Sequence, residues 1–424
     1  MQHLRKHKVS ALFGLFHLSF WVIIGGFTPF WISCEKEEEP IIIVERGEPE
    51  TLKGLLESNR TLRNKYSASD APDYRVTGIY RAAAHARLKI EPGVVIQFDE
   101  DTGLYIDENA TLDIEGNEDD KVILTGTSPV TGSWRGIRIE TDQHCVIAHT
   151  EIHYGGGNWF DYNQGANILI KGKVGSLRNR SIDVHDCLIT NSPLFGIYLD
   201  GSVANASLQR NIFRNQGLSP VVCPSFLLKG IDVSTSDYSE NGHNGIFLIH
   251  RPLEIGDVVY LSYGFNNFPD NEVAHWKKLP DGGTYRGVVS MSKLLTIDPG
   301  VIFEIFPGAI IDLNGGLRAA GTEDQKIIFR NIPGLGNFGT ILLFGNYYNT
   351  IEHCIVSNGG TSTGFSTNAN ITVWEKQQLY LSNSLINNSE GCGVFISSPH
   401  SGMIPDLTQI NNTFESNAIG DICE

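Results

Sequence analysis

The sequence predicts an all-β solenoid of short strands stacked coil upon coil, and three observations carry that expectation. Forty-five glycines, three methionines and abundant Asn, Ser, Thr, Ile and Val favour short strands and turns over helices. The stretch Leu88-Lys89-Ile90-Glu91-Pro92-Gly93-Val94-Val95-Ile96 returns 207 residues later as Leu295-Thr296-Ile297-Asp298-Pro299-Gly300-Val301-Ile302-Phe303. Each copy reads as an apolar strand, a Pro-Gly corner and a second apolar strand. Within each half a shorter template recurs, with closest spacings of 24 to 30 residues, too short for an independent core and typical of coils that bury their apolar faces on one another.

From the N-terminus, Arg5, Lys6 and Lys8 precede an apolar run over about 9–33 and then Cys34, the order of a basic region, a hydrophobic region and a processing site. Trp31-Ile32-Ser33-Cys34 resembles a lipobox, with Trp31 where Leu is usual, and Glu35-Lys36-Glu37-Glu38-Glu39-Pro40 resembles the acidic export signal of many Bacteroidota surface lipoproteins. The resemblance implies a signal peptide over 1–33, lipidation at Cys34 and a lipid anchor in the outer membrane facing the cell exterior. The alternative is an uncleaved anchor, since roughly 20 apolar residues span a bilayer; His17, Gly25, Gly26 and Pro29 weaken it. Residues 34–71 read as an acidic tether, with one short helix over Thr51-Leu52-Lys53-Gly54-Leu55-Leu56.

From Tyr74 the chain reads as strand after strand. In the first module, over 72–217, Ala110-Thr111-Leu112-Asp113-Ile114-Glu115-Gly116 leads through a polar turn to Lys121-Val122-Ile123-Leu124. In the second, over 280–424, Gly315-Gly316-Leu317-Arg318-Ala319-Ala320-Gly321 leads to Lys326-Ile327-Ile328-Phe329, and Phe338 matches Trp134. Residues 218–279 form intervening coils and loops. The short template is His149-Thr150-Glu151-Ile152-His153-Tyr154, followed by like segments from Asp186, Arg210, His353, Asn383 and Asn412. Its closing Asn, at 191, 215, 358, 388 and 417, is expected at a turn, where its side chain can hydrogen-bond the backbone.

The template resembles the repeats of right-handed parallel β-helices, the superfamily that includes pectin lyases, over about 350 residues. That resemblance implies inward stacks of Ile, Val, Leu and Phe, with coils about 4.8 Å apart. A β-propeller is the competing fold, but nothing repeats cleanly at the length of a blade.

The net charge of −16 argues against a nucleic-acid partner and disfavours an anionic polysaccharide. With Cys34 set aside, Cys145, Cys187, Cys223, Cys354, Cys392 and Cys423 show no zinc spacing; burial as small apolar residues is the expectation, and any pairing stays open. His149 and His153 would lie ~13 Å apart along a strand, too far to share an ion, so no metal and no cofactor is expected. Asp119-Asp120 matches Asp324-Gln325 and reads as a turn rather than a catalytic pair. Pectinase-type enzymes carry acids, a His and an Arg in short clusters, and Gly242-His243-Asn244 is the nearest approach to such an element; no catalytic set is assigned.

The two modules differ most at Gly155-Gly156-Gly157-Asn158-Trp159-Phe160-Asp161-Tyr162-Asn163-Gln164. Aromatic faces beside Asp and Asn suit a sugar ring, so Trp159, Asp161 and Tyr162 are the leading ligand-binding candidates. Trp276, Tyr347 and Tyr348 are further ones, and Trp374 is of the same kind. The sequence thus points to a cell-surface lipoprotein that binds a glycan or a partner protein without catalysis. The alternative is a polysaccharide lyase or glycoside hydrolase on the same fold.

Overall fold

The computed structural model describes residues 47–66, 71–83, 85–157, 165–172, 180–249, 274–344, 347–362, 368–374, 377–397 and 405–424. Their strands arise from two-residue alternation: in Arg87–Ile90, Leu88 and Ile90 are buried while Arg87 is exposed. Such a strand buries its apolar side only against the coils above and below it. Arg87–Ile90 accordingly pairs in parallel with Thr111–Glu115 in the next coil, and the chain is a right-handed parallel β-helix.

Three strand stacks form the first half. Val95–Phe98, Val122–Gly126, Thr150–His153, Leu188–Thr190 and Ile212–Arg214 make the first face. Gly103–Ile106, Ile137–Ile139, Ala166–Ile170, Phe195–Leu199 and Ser219–Pro224 make the second. The third holds Arg60–Leu62, Arg87–Ile90, Thr111–Glu115, His144–Ala148, Arg180–His185 and Val203–Gln209. Inward residues align from coil to coil, as in Ile90, Ile114, Ile147, Val184 and Leu208. All five belong to one continuous apolar core.

The second face does not end at Pro224. It continues through Gly245–Ile249 and Thr284–Gly287 into Ile302–Ile305, Ile327–Asn331, Cys354–Ser357, Leu385–Asn387 and Thr413–Glu415. Ile302–Ile305 follows Pro299-Gly300, as Val95–Phe98 follows Pro92-Gly93. The corners share a conformation, with Gly93 at φ +76 and Gly300 at φ +80, which a side chain disfavours. Yet the strand after the first corner lies on the first face and its counterpart continues the second. The two similar stretches therefore sit one face apart around the helix axis.

Two other faces complete the second half. One contains Ser290–Met291, Ile311–Leu313, Ile341–Leu343, Ala369–Val373, Cys392–Ile396 and Gly420–Cys423. The other contains Ala274–Trp276, Leu295–Ile297, Leu317–Ala320, Tyr348–Glu352, Gln378–Ser382 and Asp406–Ile410; it is called the tyrosine face below.

The expected tether and helix are corrected in part. Glu50–Leu56 is a strand paired with Tyr74–Ala82, and Arg60–Leu62 pairs with Arg87–Ile90, so coil structure begins before residue 72. Plain alternation puts Leu52, Gly54 and Leu56 on one side, and because Gly54 has no side chain the buried Leu52 and Leu56 stand four apart, which imitates a helical period. Cys34 and the segments around it lie outside the described residues. Among the described residues no helix is long and apolar enough to cross a membrane.

The corners explain the recurrent polar residues. His149, Asp186, Arg210, His353, Asn383 and Asn411 all have φ between 46 and 57, and Asn191, Asn215, Asn358, Asn388 and Ser416 between 53 and 65. Asn and Asp tolerate this left-handed region better than most residues. In the last coil the template is one residue out: Asn411 and Ser416, not Asn412 and Asn417, take the corners. Asn417 instead stands where Gln216 does. Gln216 accepts from the Ser192 N–H and donates to the Ile189 carbonyl, and Asn417 makes the same pair of bonds to Ser389 and Ile386.

The cysteines divide. Cys392 and Cys423 form a disulfide, while Cys145, Cys187, Cys223 and Cys354 are buried and free. Burial pushes the Cys145, Cys187 and Cys354 thiols up to about 12, so they act as small apolar residues.

Candidate ligand-binding surface

Alternation turns Asn349 and Ile351 into the core and leaves Tyr348 pointing out, at 82% exposure. In the next coil it turns Leu379 and Leu381 in and Tyr380 out. Tyr348 pairs with Gln378 and Thr350 with Tyr380. The two tyrosines are therefore diagonal neighbours on one sheet, about 8 Å apart from one coil step and two residues of rise. Arg318, Thr350, Tyr380 and Thr408 lie in register across four coils. Gln378 and Asp406 pair beside them.

The adjoining corner adds aromatic surface. Phe344 follows Ile341–Leu343 and Trp374 follows Ala369–Val373; their rings are 6.5 Å apart by centroid, and the Trp374 N–H donates to the Leu343 carbonyl. Tyr347, 48% exposed, immediately precedes the strand Tyr348–Glu352, and Phe344 is 44% exposed. Five aromatic side chains thus lie on neighbouring stretches of the coils, Phe344 and Trp374 paired at the end of one face and Tyr347, Tyr348 and Tyr380 on the tyrosine face with its polar residues. Sequence reading named three of them and missed Phe344 and Tyr380. Tyr380 could have been found from the stacking period, since it stands 32 residues after Tyr348 on the outward parity.

Trp276 is corrected. Its neighbours His275, Lys277 and Lys278 suggest a surface residue, but the strand Ala274–Trp276 turns Trp276 inward at 0% exposure. It stacks on Tyr285 at 5.6 Å and meets Phe303 edge-on at 4.8 Å, so it is core. Trp159, Asp161 and Tyr162 lie outside the described residues.

The Asp119-Asp120 pair and the buried charged groups of the coils have structural partners. The Asp119 and Asp120 N–H groups donate to Asn117 Oδ1 at 3.0 and 2.7 Å, which closes the turn expected there. Glu304, nearly buried on the second face, receives Arg286 at 2.6 Å and Arg330 at 2.8 Å on its two oxygens. Burial raises its pKa, but the two guanidiniums prevail and hold it below the ordinary value. A second buried pair joins Arg138 to Glu140 at 3.0 Å, with Tyr105 donating to the same carboxylate.

His243 is buried, 2.8 Å from Thr284 Oγ1 and 3.3 Å from Ser219 Oγ. Burial first, and then the Arg286 charge, lower its pKa from 6.5 to about 4, so it is neutral at pH 7. Between those values the unfolded chain takes up a proton that the folded chain refuses. Stability therefore falls as pH drops from 6.5 towards 4, by about 3 kcal/mol in total. His243→Gln does not titrate, and urea unfolding across this window is expected to show that part of the slope removed. A variant slope parallel to wild type would contradict the assignment.

Comparison with protein-family models and with curated protein sequences finds no match to this chain.

Proposed function

We propose that this chain is a noncatalytic binding scaffold, held outside the cytoplasm by a lipid anchor at Cys34, whose tyrosine face binds a neutral glycan. The observation that carries the reading is the placement of the exposed Tyr348 and Tyr380 on one sheet with the register of Arg318, Thr350 and Thr408, and of Tyr347 and the Phe344–Trp374 pair on adjoining stretches of chain. Aromatic planes suit the C–H faces of sugars, and the hydroxyl, amide and guanidinium groups suit sugar hydroxyls. The parallel ladder fixes the spacing of Tyr348, Tyr380 and their polar neighbours, which lowers the ordering cost of binding. The charge of −16 favours a neutral over an anionic polymer.

The test is an array of neutral polysaccharides, followed by isothermal titration of the strongest binder. Tyr348→Ala and Tyr380→Ala are each expected to weaken binding roughly tenfold or more, as aromatic anchors do when truncated. Unchanged affinity in both variants removes this surface from the account. Unsaturated products or new reducing ends on incubation with the polysaccharide would instead establish the lyase or hydrolase alternative.

A further inference from the structure

Coil stacking joins side chains that the sequence separates. At the edge between the third and first faces, His149 and Asp186 occupy stacked left-handed corners with φ of 46 and 57. The His149 N–H donates to the His185 carbonyl at 3.1 Å, which fixes the two corners to each other. His185 Nδ1 lies 2.7 Å from Asp186 Oδ2, and His149 Nε2 lies 3.8 Å from the same oxygen. All three side chains are partly buried, and one ligand atom from each falls within 4.8 Å of the others.

We propose that His149, His185 and Asp186 bind a divalent transition-metal ion of the Zn2+ class. Two imidazole nitrogens and one carboxylate oxygen suit Zn2+, Co2+, Ni2+ or Cu2+, whereas Ca2+ and Mg2+ prefer oxygen sets. Ligand atoms around a tetrahedral Zn2+ stand roughly 3.4 Å apart, from metal–ligand bonds of ~2.1 Å. The separations here bracket that distance, so a small rotation of the side chains closes the set while the backbone stays fixed. Coordination through His185 Nδ1 uses the tautomer with its proton on Nε2 and replaces the hydrogen bond to Asp186.

Arg210 modulates the site. Its Nε and Nη2 donate to the two Asp186 oxygens at 2.8 and 2.7 Å. This bidentate contact holds the carboxylate in place at the corner. The same guanidinium charge opposes a cation and limits affinity. The corresponding corner of the second half provides a control, because His353 stacks there against Asn383, which has no carboxylate.

The experiment titrates the full chain with Co2+, read by visible absorption, and with Zn2+, read by calorimetry. One ion per chain is expected at this corner. His149→Asn and His185→Gln should each weaken binding at least about tenfold, and His353→Asn should leave it unchanged. Arg210→Gln should tighten it several-fold. Asn already stands at the equivalent corner as Asn383 with φ 49, so His149→Asn is compatible with the fold, and circular dichroism checks this. Absence of binding by the wild-type chain, wild-type affinity in both the His149→Asn and His185→Gln variants, or weaker binding by folded Arg210→Gln would overturn the proposal.

Discussion

Trp134→Ala is expected to lower stability by about 3 to 5 kcal/mol, the range for deleting a fully buried large aromatic side chain. Trp134 is 0% exposed and stacks on Phe98 with ring centroids 4.0 Å apart and planes 13° from parallel. Its Nε1 donates to the His153 carbonyl at 2.8 Å, so truncation leaves a cavity and removes a donor together. Coils above and below fix the surrounding walls, which limits collapse into the space. Urea unfolding followed by far-UV circular dichroism measures the loss. Trp134→Phe, which copies the Phe338 of the second half, should recover much of it. A loss in Trp134→Ala below about 1 kcal/mol would show that the stacked aromatics contribute little.

Asn211→Ala should be comparably damaging, at roughly 2 to 6 kcal/mol, because it strips partners from two buried backbone groups at about 1 to 3 kcal/mol each. Asn211 accepts from the Cys187 N–H at 3.1 Å and donates to the Val184 carbonyl at 2.8 Å, and it is fully buried. It clips one coil to the previous one where the chain turns and the strand ladder is interrupted. Asn412 makes the equivalent bonds to Ser384 and Leu381 but is only partly buried near the end of the described coils. Water can replace its side chain there, so Asn412→Ala should cost less than Asn211→Ala. Equal losses, again measured by urea unfolding, would contradict this difference in burial.

The solenoid was legible because its physics is periodic. Ile114, Ile147 and Val184 occur in recurring segments since each must cover the apolar side of the previous coil. Corner residues were legible for a related reason: His149, Asp186 and Arg210 share a left-handed backbone, and the template marks them as polar. The failures fall where the period breaks. Gly54, without a side chain between Leu52 and Leu56 on the same side of the strand, gave Glu50–Leu56 a helical spacing. Three residues of strand were too few to reveal that Trp276 points inward, and its basic neighbours suggested the opposite.

The candidate surfaces were less legible, since contact between coils depends on how many residues each coil consumes. Tyr348 and Tyr380 become neighbours only through the pairing of Tyr348–Glu352 with Gln378–Ser382. His149 and Asp186 meet in the same way, and measuring along one strand from His149 to His153 could not show it. The one-face displacement between the two halves was also hidden, because pairing through Gly245–Ile249 and Thr284–Gly287 has no counterpart in the repeated stretches.

Hydroxyl-radical footprinting of the full chain, with and without the neutral polysaccharide selected by the array, tests the binding surface most directly. Protection is expected at Tyr347, Tyr348 and Tyr380, with the buried Trp134 and Trp276 unchanged. Protection confined to other residues, such as Trp159 and Tyr162, or bound polysaccharide that leaves Tyr348 and Tyr380 as reactive as before, would contradict the account.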